Sequence, residues 1–214
     1  MKRLALVSAT LVVVAGLVTA AAAPAPLKAG ILPFDLVGVD NAGASASAAL
    51  AKLVRIEMIK GRKLTPVLIT LPADVTHPVS NEQAASLGKT AEVGVVIVGT
   101  VVDVSSTQSS KSASTGGLLG SIGIGGSLDK SSAKVSLHLD LIDPATGKLV
   151  DSFDVEGKAS QTGLGMDFST ALGDVDTGGS NWENTPMGKA LSDAARKVSD
   201  EVAKRAAKLA KAAG

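Results

Sequence analysis

The sequence predicts an α/β (α+β) fold: a single mixed β-sheet with packed helices, in the order β-α-β-α-β-β-β-α. Residues 91–104, AEVGVVIVGTVVDV, are the most β-rich segment and predict the central strand. Apolar and polar side chains alternate over 133–141, and a return strand at 149–155 follows the turn sequence DPATGK. An amphipathic pattern from 186 to about 212 predicts a long closing helix.

Local signals define the elements of the N-terminal half. We predict a strand at 29–37, a helix at 48–60, a strand at 64–71 and a short helix at 80–87. Pro33 marks an edge or a bulge in the first strand, and Gly61 ends the first helix. Ser80 and Gln83 have the spacing of a capping box, which starts the short helix. The buried face of the first helix is predicted to carry Leu50, Leu53, Val54 and Met58.

Two segments of the C-terminal half lack a regular pattern. Residues 105–132 are rich in serine and glycine and predict a flexible insert between the central strands. Residues 157–180 predict a second loop. The closing helix then has Thr185 as its N-cap and Pro186 at its first helical position. Its predicted apolar stripe comprises Met187, Leu191, Ala194, Val198, Val202 and Leu209.

The N-terminus has the layout of a secretory signal peptide. Lys2 and Arg3 precede an uncharged apolar run at 4–18, and small residues follow it. A membrane span needs about 20 apolar residues, and this run is shorter. We therefore expect a signal peptide at 1–22, cleaved after residue 20, 21 or 22, and a periplasmic domain at 28–212. The chain has no cysteine, so we expect no lipid anchor and no disulfide.

Composition excludes several classes of function. The net charge of +1 gives no basic field for nucleic acid or anionic lipid. Three phenylalanines, one tryptophan and no tyrosine are too few for base-stacking platforms or aromatic membrane girdles. The core must be built from valine, leucine, isoleucine and alanine. About 190 residues remain after cleavage, which suits one domain or at most two small ones.

The inventory of reactive side chains argues against an enzyme. Of the two histidines, His77 lies in a proline-flanked loop and His138 on the polar face of a strand. Neither has a carboxylate pair at ligand spacing, so we predict no metal site. No serine lies in a G-x-S-x-G nucleophile elbow. A Ser-His-Asp triad would require one of these histidines to meet a specific serine in space, and we therefore predict no catalytic residues and no cofactor.

Other polar motifs are interpreted as structural. The pairs Asp140/Asp143 and Asp174/Asp176 lie at a strand end and in a glycine-bounded loop, where carboxylates usually form turns or face solvent. The glycine run at 116–126 lacks the G-K-[ST] ending of a P-loop and does not join a buried strand to a helix. We therefore predict no phosphate site.

The same glycine run has a second interpretation. Its aliphatic residues alternate with small or polar ones, as in a membrane β-strand with one apolar face. The alternative is a disordered Gly/Ser loop with a few aliphatic residues, and composition alone favours this alternative. On the first interpretation the candidate membrane or oligomer contacts are Leu118, Ile122, Ile124 and Leu128.

Several of these segments together resemble the CsgG family, the curli production assembly and transport components of the bacterial outer membrane. The resemblance rests on ILPFDLV near the mature start, VGVVIVGTVVDV, the GIGG insert and the hairpin VSLHLDLIDPATGKLVDSF. It also includes the helix start NTPMGKALSDAA and extends from about residue 28 to 207. The resemblance implies an α/β periplasmic domain and, as in the curli transporter, a ring whose paired hairpins form a membrane barrel. Residues 116–128 match the second such hairpin, whereas PADVTHPVSN, at the position of the first, is short and contains two prolines.

Two functions are therefore expected. The first is a non-enzymatic, oligomeric assembly or secretion component at the outer membrane. The second is a soluble periplasmic adaptor or regulator that binds a protein partner, because activators of penicillin-binding proteins and the N-terminal domain of TolB resemble the same general plan. Protein partners in the envelope are expected in both cases, and nucleic acid in neither.

Overall fold

The structure is a computed structural model. It describes residues 27–37, 44–75, 77–111, 128–162, 168–179 and 181–212. The predicted signal peptide and the glycine run at 116–126 lie outside these ranges. In chain order the described elements are β1 (Lys28–Ile31), β2 (Asp35–Leu36), α1 (Ala44–Gly61), β3 (Thr65–Leu68), α2 (Asn81–Thr90), β4 (Val95–Lys111), β5 (Leu128–Ile142), β6 (Leu149–Thr162), α3 (Phe168–Thr177), a 3-10 turn (Asn181–Asn184) and α4 (Pro186–Ala212).

One mixed sheet organises the molecule, as predicted. Its strand order is β3-β1-β4-β5-β6, and β2 pairs with β4 beyond the end of β1. β1 pairs in parallel with β3 and β4, whereas β4, β5 and β6 form an antiparallel meander. β4 therefore occupies the centre, as its apolar sequence predicts.

Helices cover the two faces of the sheet unequally. The inward residues of β4 and β5, such as Ile97 and Leu139, pack in one core with α1, α3 and α4. The opposite face is covered by α2 where β4 begins and β5 ends, in a smaller core that contains Val96 and Ile142. Beyond α2, the face of β4, β5 and β6 carries polar side chains toward solvent. This uncovered sheet face holds most of the polar groups considered below.

The predicted helix signals are confirmed. The Ser80 hydroxyl accepts a hydrogen bond from Gln83 N, and the Gln83 side chain accepts one from Ser80 N, which completes the capping box of α2. Thr185 Oγ1 accepts a hydrogen bond from Gly188 N at 3.0 Å and caps α4, which begins at Pro186. The predicted stripe of α4 is buried over its described members, Met187, Leu191, Ala194, Val198 and Val202.

The structure differs most from the predicted element bounds in three places. The predicted strand at 29–37 is two strands separated by a break around Pro33. Residues 105–111 and 128–132, predicted as part of a flexible insert, belong to β4 and β5. The predicted loop at 157–180 contains the end of β6 and all of α3, whose buried residues Phe168, Ala171 and Leu172 have helical spacing among glycines and aspartates.

Candidate functional site

Strands β4 and β5 stay paired to the ends of both strands at 111 and 128. We define residues 105–111 and 128–133 as the β4–β5 arm. The paired register runs without a break from Asp103↔Ser136 to Lys111↔Leu128. A bulge between Val101 and Asp103 lies just before the arm, and bulges increase local twist and bend a strand. Strand β6 pairs with the arm as far as Lys130↔Thr162. Residues 112–127, which connect the two arm strands in the sequence and which we call the arm tip, lie outside the described residues.

Of the four predicted contact residues, three belong to the arm tip in the sequence and one, Leu128, belongs to the arm. Leu128 is the first residue of β5 and pairs in register with Lys111. Leu118, Ile122 and Ile124 lie outside the described residues.

A row of alternating charges crosses the base of the arm. Lys134 Nζ lies 2.6 Å from Asp103 Oδ2 and 3.7 Å from Glu156 Oε2, so it joins β4, β5 and β6. Lys158 forms a second ion pair with Glu156. The hydrogen bond from Lys134 to Asp103 raises the pKa of the lysine, and the hydrogen bond from Lys158 lowers the pKa of Glu156. Cross-strand opposite charges of this kind stabilise a sheet face.

An open cavity of about 380 Å³ lies next to this row. Its lining consists of hydroxyl and ammonium side chains together with two alanines: Ser105, Thr107, Ser132, Ala133, Lys134, Lys158, Ala159 and Ser160. Both lysines are already paired with carboxylates, so the cavity offers hydroxyl groups without an unpaired cation.

His138 is the centre of a polar cluster on the same face. Its Nδ1 lies 2.7 Å from Asp154 Oδ1, and its Nε2 lies 3.1 Å from Ser152 Oγ and 3.4 Å from Asp140 Oδ1. The hydrogen bond to Asp154 raises the pKa of the imidazole, and Asp140 adds to this effect against a small cost of burial. The cluster can therefore hold a proton more tightly than a free histidine does.

The order of these contacts, Ser152 to Nε2 and Asp154 to Nδ1, has the connectivity of a catalytic triad. Three features oppose that function. The Asp154 side chain is 82% exposed, whereas a triad aspartate is buried, and the Asp140 carboxylate lies on the same side of the imidazole as Ser152. The backbone N–H of Ser152 already donates to Asp151 Oδ1 and is not available to bind an oxyanion. The cluster is better suited to binding a proton than to nucleophilic attack.

The sequence singled out His138 and Asp140 but not their partners on β6. The turn at DPATGK fixes the register His138↔Asp154. Because side chains alternate across a strand, even-numbered residues of both strands share the uncovered face. This signal, polar residues at even positions on both sides of a short turn, could have predicted the cluster.

Two of the remaining predicted carboxylates, Asp143 and Asp176, have structural contacts. Asp143 accepts hydrogen bonds from Ala145 N at 2.9 Å and Thr146 Oγ1 at 2.6 Å, which lower its pKa and hold the turn. Asp176 pairs with Lys52 of α1 at 2.5 Å. His77 precedes a cis proline in an exposed loop.

Two further properties bear on function. In the described ranges, no group of three or more histidine, cysteine or acidic side chains could hold a metal ion. None of the described helices combines the length and the apolar character that crossing a bilayer requires.

The described residues form a mixed sheet with a long antiparallel pair of strands and one polar, uncovered face. The profile of the family described as "Curli production assembly/transport component CsgG" matches residues 72–213. The chain belongs to the CsgG family. This membership confirms the resemblance noted in the sequence and supports a protein of the cell envelope.

One solved structure, the first of the three below, supports the fold. The hypothetical protein CT253 from Chlamydia trachomatis is 14% identical, with 85% of this chain and 98% of that chain covered and a TM-score of 0.53. The PelC dodecamer from Paraburkholderia phytofirmans is 17% identical, with 78% of this chain and 88% of that chain covered and a TM-score of 0.35. Lipoprotein GNA1162 from Neisseria meningitidis is 16% identical, with 72% of this chain and 94% of that chain covered and a TM-score of 0.36. The comparison with curated proteins found no match.

Proposed function

We propose that this protein is a non-enzymatic component of cell-envelope assembly or secretion that acts at the periplasmic face of the outer membrane. It resembles the curli assembly and transport component in function as well as in family. In this proposal the mature chain forms oligomers, and the tip of the β4–β5 arm contacts the membrane or neighbouring copies. Family membership supports the envelope role.

The observation that carries the arm's role is the continuous register up to Lys111↔Leu128. A paired ladder is a stiff support, because the backbone groups that face the partner strand are bonded at every second residue. Residues 118, 122, 124 and 128 are all even-numbered and aliphatic, and small or polar residues predominate between them. In an extended strand these four side chains would share one face, which could enter an apolar environment.

The second candidate is a soluble periplasmic adaptor that binds a protein partner. The uncovered face of β4, β5 and β6 favours it, because this face carries paired charges and a histidine cluster instead of an apolar surface. In that case the arm would have no membrane contact, and osmotic shock would release the protein completely.

Envelope fractionation of cells that express the full precursor separates these functions. We expect the wild type to sediment with the outer membrane, and a variant lacking residues 109–131 to remain soluble. A variant with Leu118, Ile122, Ile124 and Leu128 changed to serine should also be soluble. The matched control is Leu119→Ser, at an odd-numbered position in the same run. A soluble, monomeric wild type would contradict the assembly function and favour the adaptor.

A further inference from the structure

The outer edge of β6 is only partly blocked. β6 is the last strand in the order β3-β1-β4-β5-β6, so one of its edges has no strand partner in the described part of the chain. Near its C-terminal half, α4 occupies this edge: Asp193 Oδ2 accepts a hydrogen bond from Lys158 N at 3.4 Å, and Lys197 Nζ donates to Glu156 O at 2.7 Å. Even-numbered residues of β6 therefore direct their backbone groups away from β5.

The segment between Ser152 O and Glu156 N is open, and Glu156 O, at its end, is bonded to Lys197. We call residues 152–156 of β6 the edge window. Within it, Ser152 N donates to the neighbouring Asp151 side chain, but Asp154 N and O, Ser152 O and Glu156 N have no hydrogen-bond partner among the described residues. An ion pair between Arg205 Nε and Asp151 Oδ2 at 2.7 Å ties the start of the window to α4. The window thus holds four unpaired backbone groups in a row, from Ser152 O to Glu156 N.

The opposite edge of the sheet is protected in a way that the window is not. Strand β3 is four residues long and contains Pro66, which has no N–H to offer to another strand. The window contains no proline, and its ladder with β5 is regular from Asp151 to Thr162. Asp154 contacts His138 through Oδ1, but its side chain is 82% exposed, so the carboxylate can still face an added strand. This charge discourages pairing with a second acidic copy of the edge and favours a partner with basic side chains.

We propose that the edge window binds an extended segment of a protein partner by strand addition, and that this segment carries lysine or arginine at alternate positions. Backbone hydrogen bonds to Asp154, Ser152 and Glu156 hold the added strand, and its basic side chains lie beside the Asp154 carboxylate. This inference goes beyond the proposed function, because it requires neither the arm nor a membrane.

The test uses the mature chain and two synthetic peptides with the repeats TKVKVKT and TEVEVET. We expect the lysine peptide to slow amide hydrogen exchange at Asp154 and Glu156 at least five-fold, and the glutamate peptide to have no effect. Asp154→Pro should weaken binding of the lysine peptide at least ten-fold. The N–H that this variant loses faces away from β5, so the sheet itself is preserved. Asp154→Ala keeps the N–H and should weaken binding only a few-fold.

Several results would overturn the proposal. They are unchanged exchange at both amides, equal binding of the two peptides, or equal losses in Asp154→Pro and Asp154→Ala. The exchange measurement on the wild type remains decisive if Asp154→Pro fails to fold. Because neither readout involves the arm, failure here leaves the fractionation result intact, and the reverse also holds.

Discussion

Gly157 determines how closely the closing helix approaches the sheet. A Cβ atom at this position would lie 2.6 Å from Ala194 N and closer still to Ala190 O, both in the backbone of α4. A backbone atom cannot move aside as the end of a flexible side chain can, so the helix as a whole would have to shift. The close approach of α4 and β6 at this position is not indicated by the sequence, in which Gly157 begins a predicted loop.

We predict that Gly157→Ala lowers the free energy of unfolding by about 2–3 kcal/mol, as overpacking of a close contact does. Urea unfolding of the mature chain measures the difference. The matched control is Gly173→Ala in α3, where a Cβ atom would meet nothing within 4 Å. Alanine is favoured over glycine in a helix by up to about 1 kcal/mol, so the control should be neutral or stabilised. Equal destabilisation of both variants would show that steric contact with α4 is not the cause.

His138 should make stability depend on pH. The hydrogen bond with Asp154 raises the pKa of the imidazole above that of the unfolded chain. Its contribution is therefore fully present below about pH 6.5, the unfolded value, and is lost as the pH rises through the folded pKa. The side chain is 41% exposed, so solvent screening limits the contribution to the order of 0.5 kcal/mol.

The measurement is urea unfolding of the wild type and His138→Gln at pH 5, 7 and 9, with an NMR titration of the imidazole. We expect the wild type to be more stable than the variant at pH 5 and the difference to shrink by pH 9. Asp154→Asn should remove most of the effect, because Asp154 is the main cause of the shift. A difference that grows with pH would contradict this assignment.

At the scale of elements, the caps define where helices begin. Thr185→Ala removes the hydroxyl that accepts from Gly188 N, and we expect it to lower the free energy of unfolding by about 1 kcal/mol. Thr185→Ser keeps the acceptor and should recover most of this loss. Thermal or urea unfolding measures both variants. A serine variant as unstable as the alanine variant would show that the methyl group, and not the cap, is responsible.

Elements with a repeated signal were predictable from the sequence, whereas those fixed by tertiary contact were not. The caps of α2 and α4 and the hairpin at 143–148 follow from local chemistry that leaves few alternatives. The arm strands are serine-rich, and composition alone indicates a loop, but ladder hydrogen bonds involve the backbone and tolerate any side chain except proline. The helix α3 was missed because its apolar triplet is short and interrupted by glycine and aspartate.

The candidate site shows the same division. The sequence placed His138 on the polar face of its strand, and the structure confirms this position. Its contacts with Ser152 and Asp154 depend on the register between β5 and β6, which the pattern within either strand alone does not define. The open edge of β6 depends on strand order and on where α4 reaches, and neither property can be derived from local pattern.

At the scale of the whole molecule, the central strand joins two cores. Alternate residues of β4 enter the core with α1, α3 and α4 and the core with α2. Ile97→Val and Ile142→Val make the same change in the two cores, at side chains that are both fully buried. Each substitution should lower the free energy of unfolding by about 0.5–1.5 kcal/mol. Unfolding should remain a single transition that Trp182 fluorescence and circular dichroism report identically. Two separate transitions would mean that the cores unfold independently.

The central claim is that the aliphatic residues at the tip of the β4–β5 arm bring this envelope protein to the membrane. Flotation of the purified mature chain with phospholipid vesicles tests it most directly. We predict that the wild type and Leu119→Ser float with the vesicles. The variant with serine at 118, 122, 124 and 128 should stay at the bottom of the gradient. A wild type that does not float, or a serine variant that floats equally well, would contradict the claim.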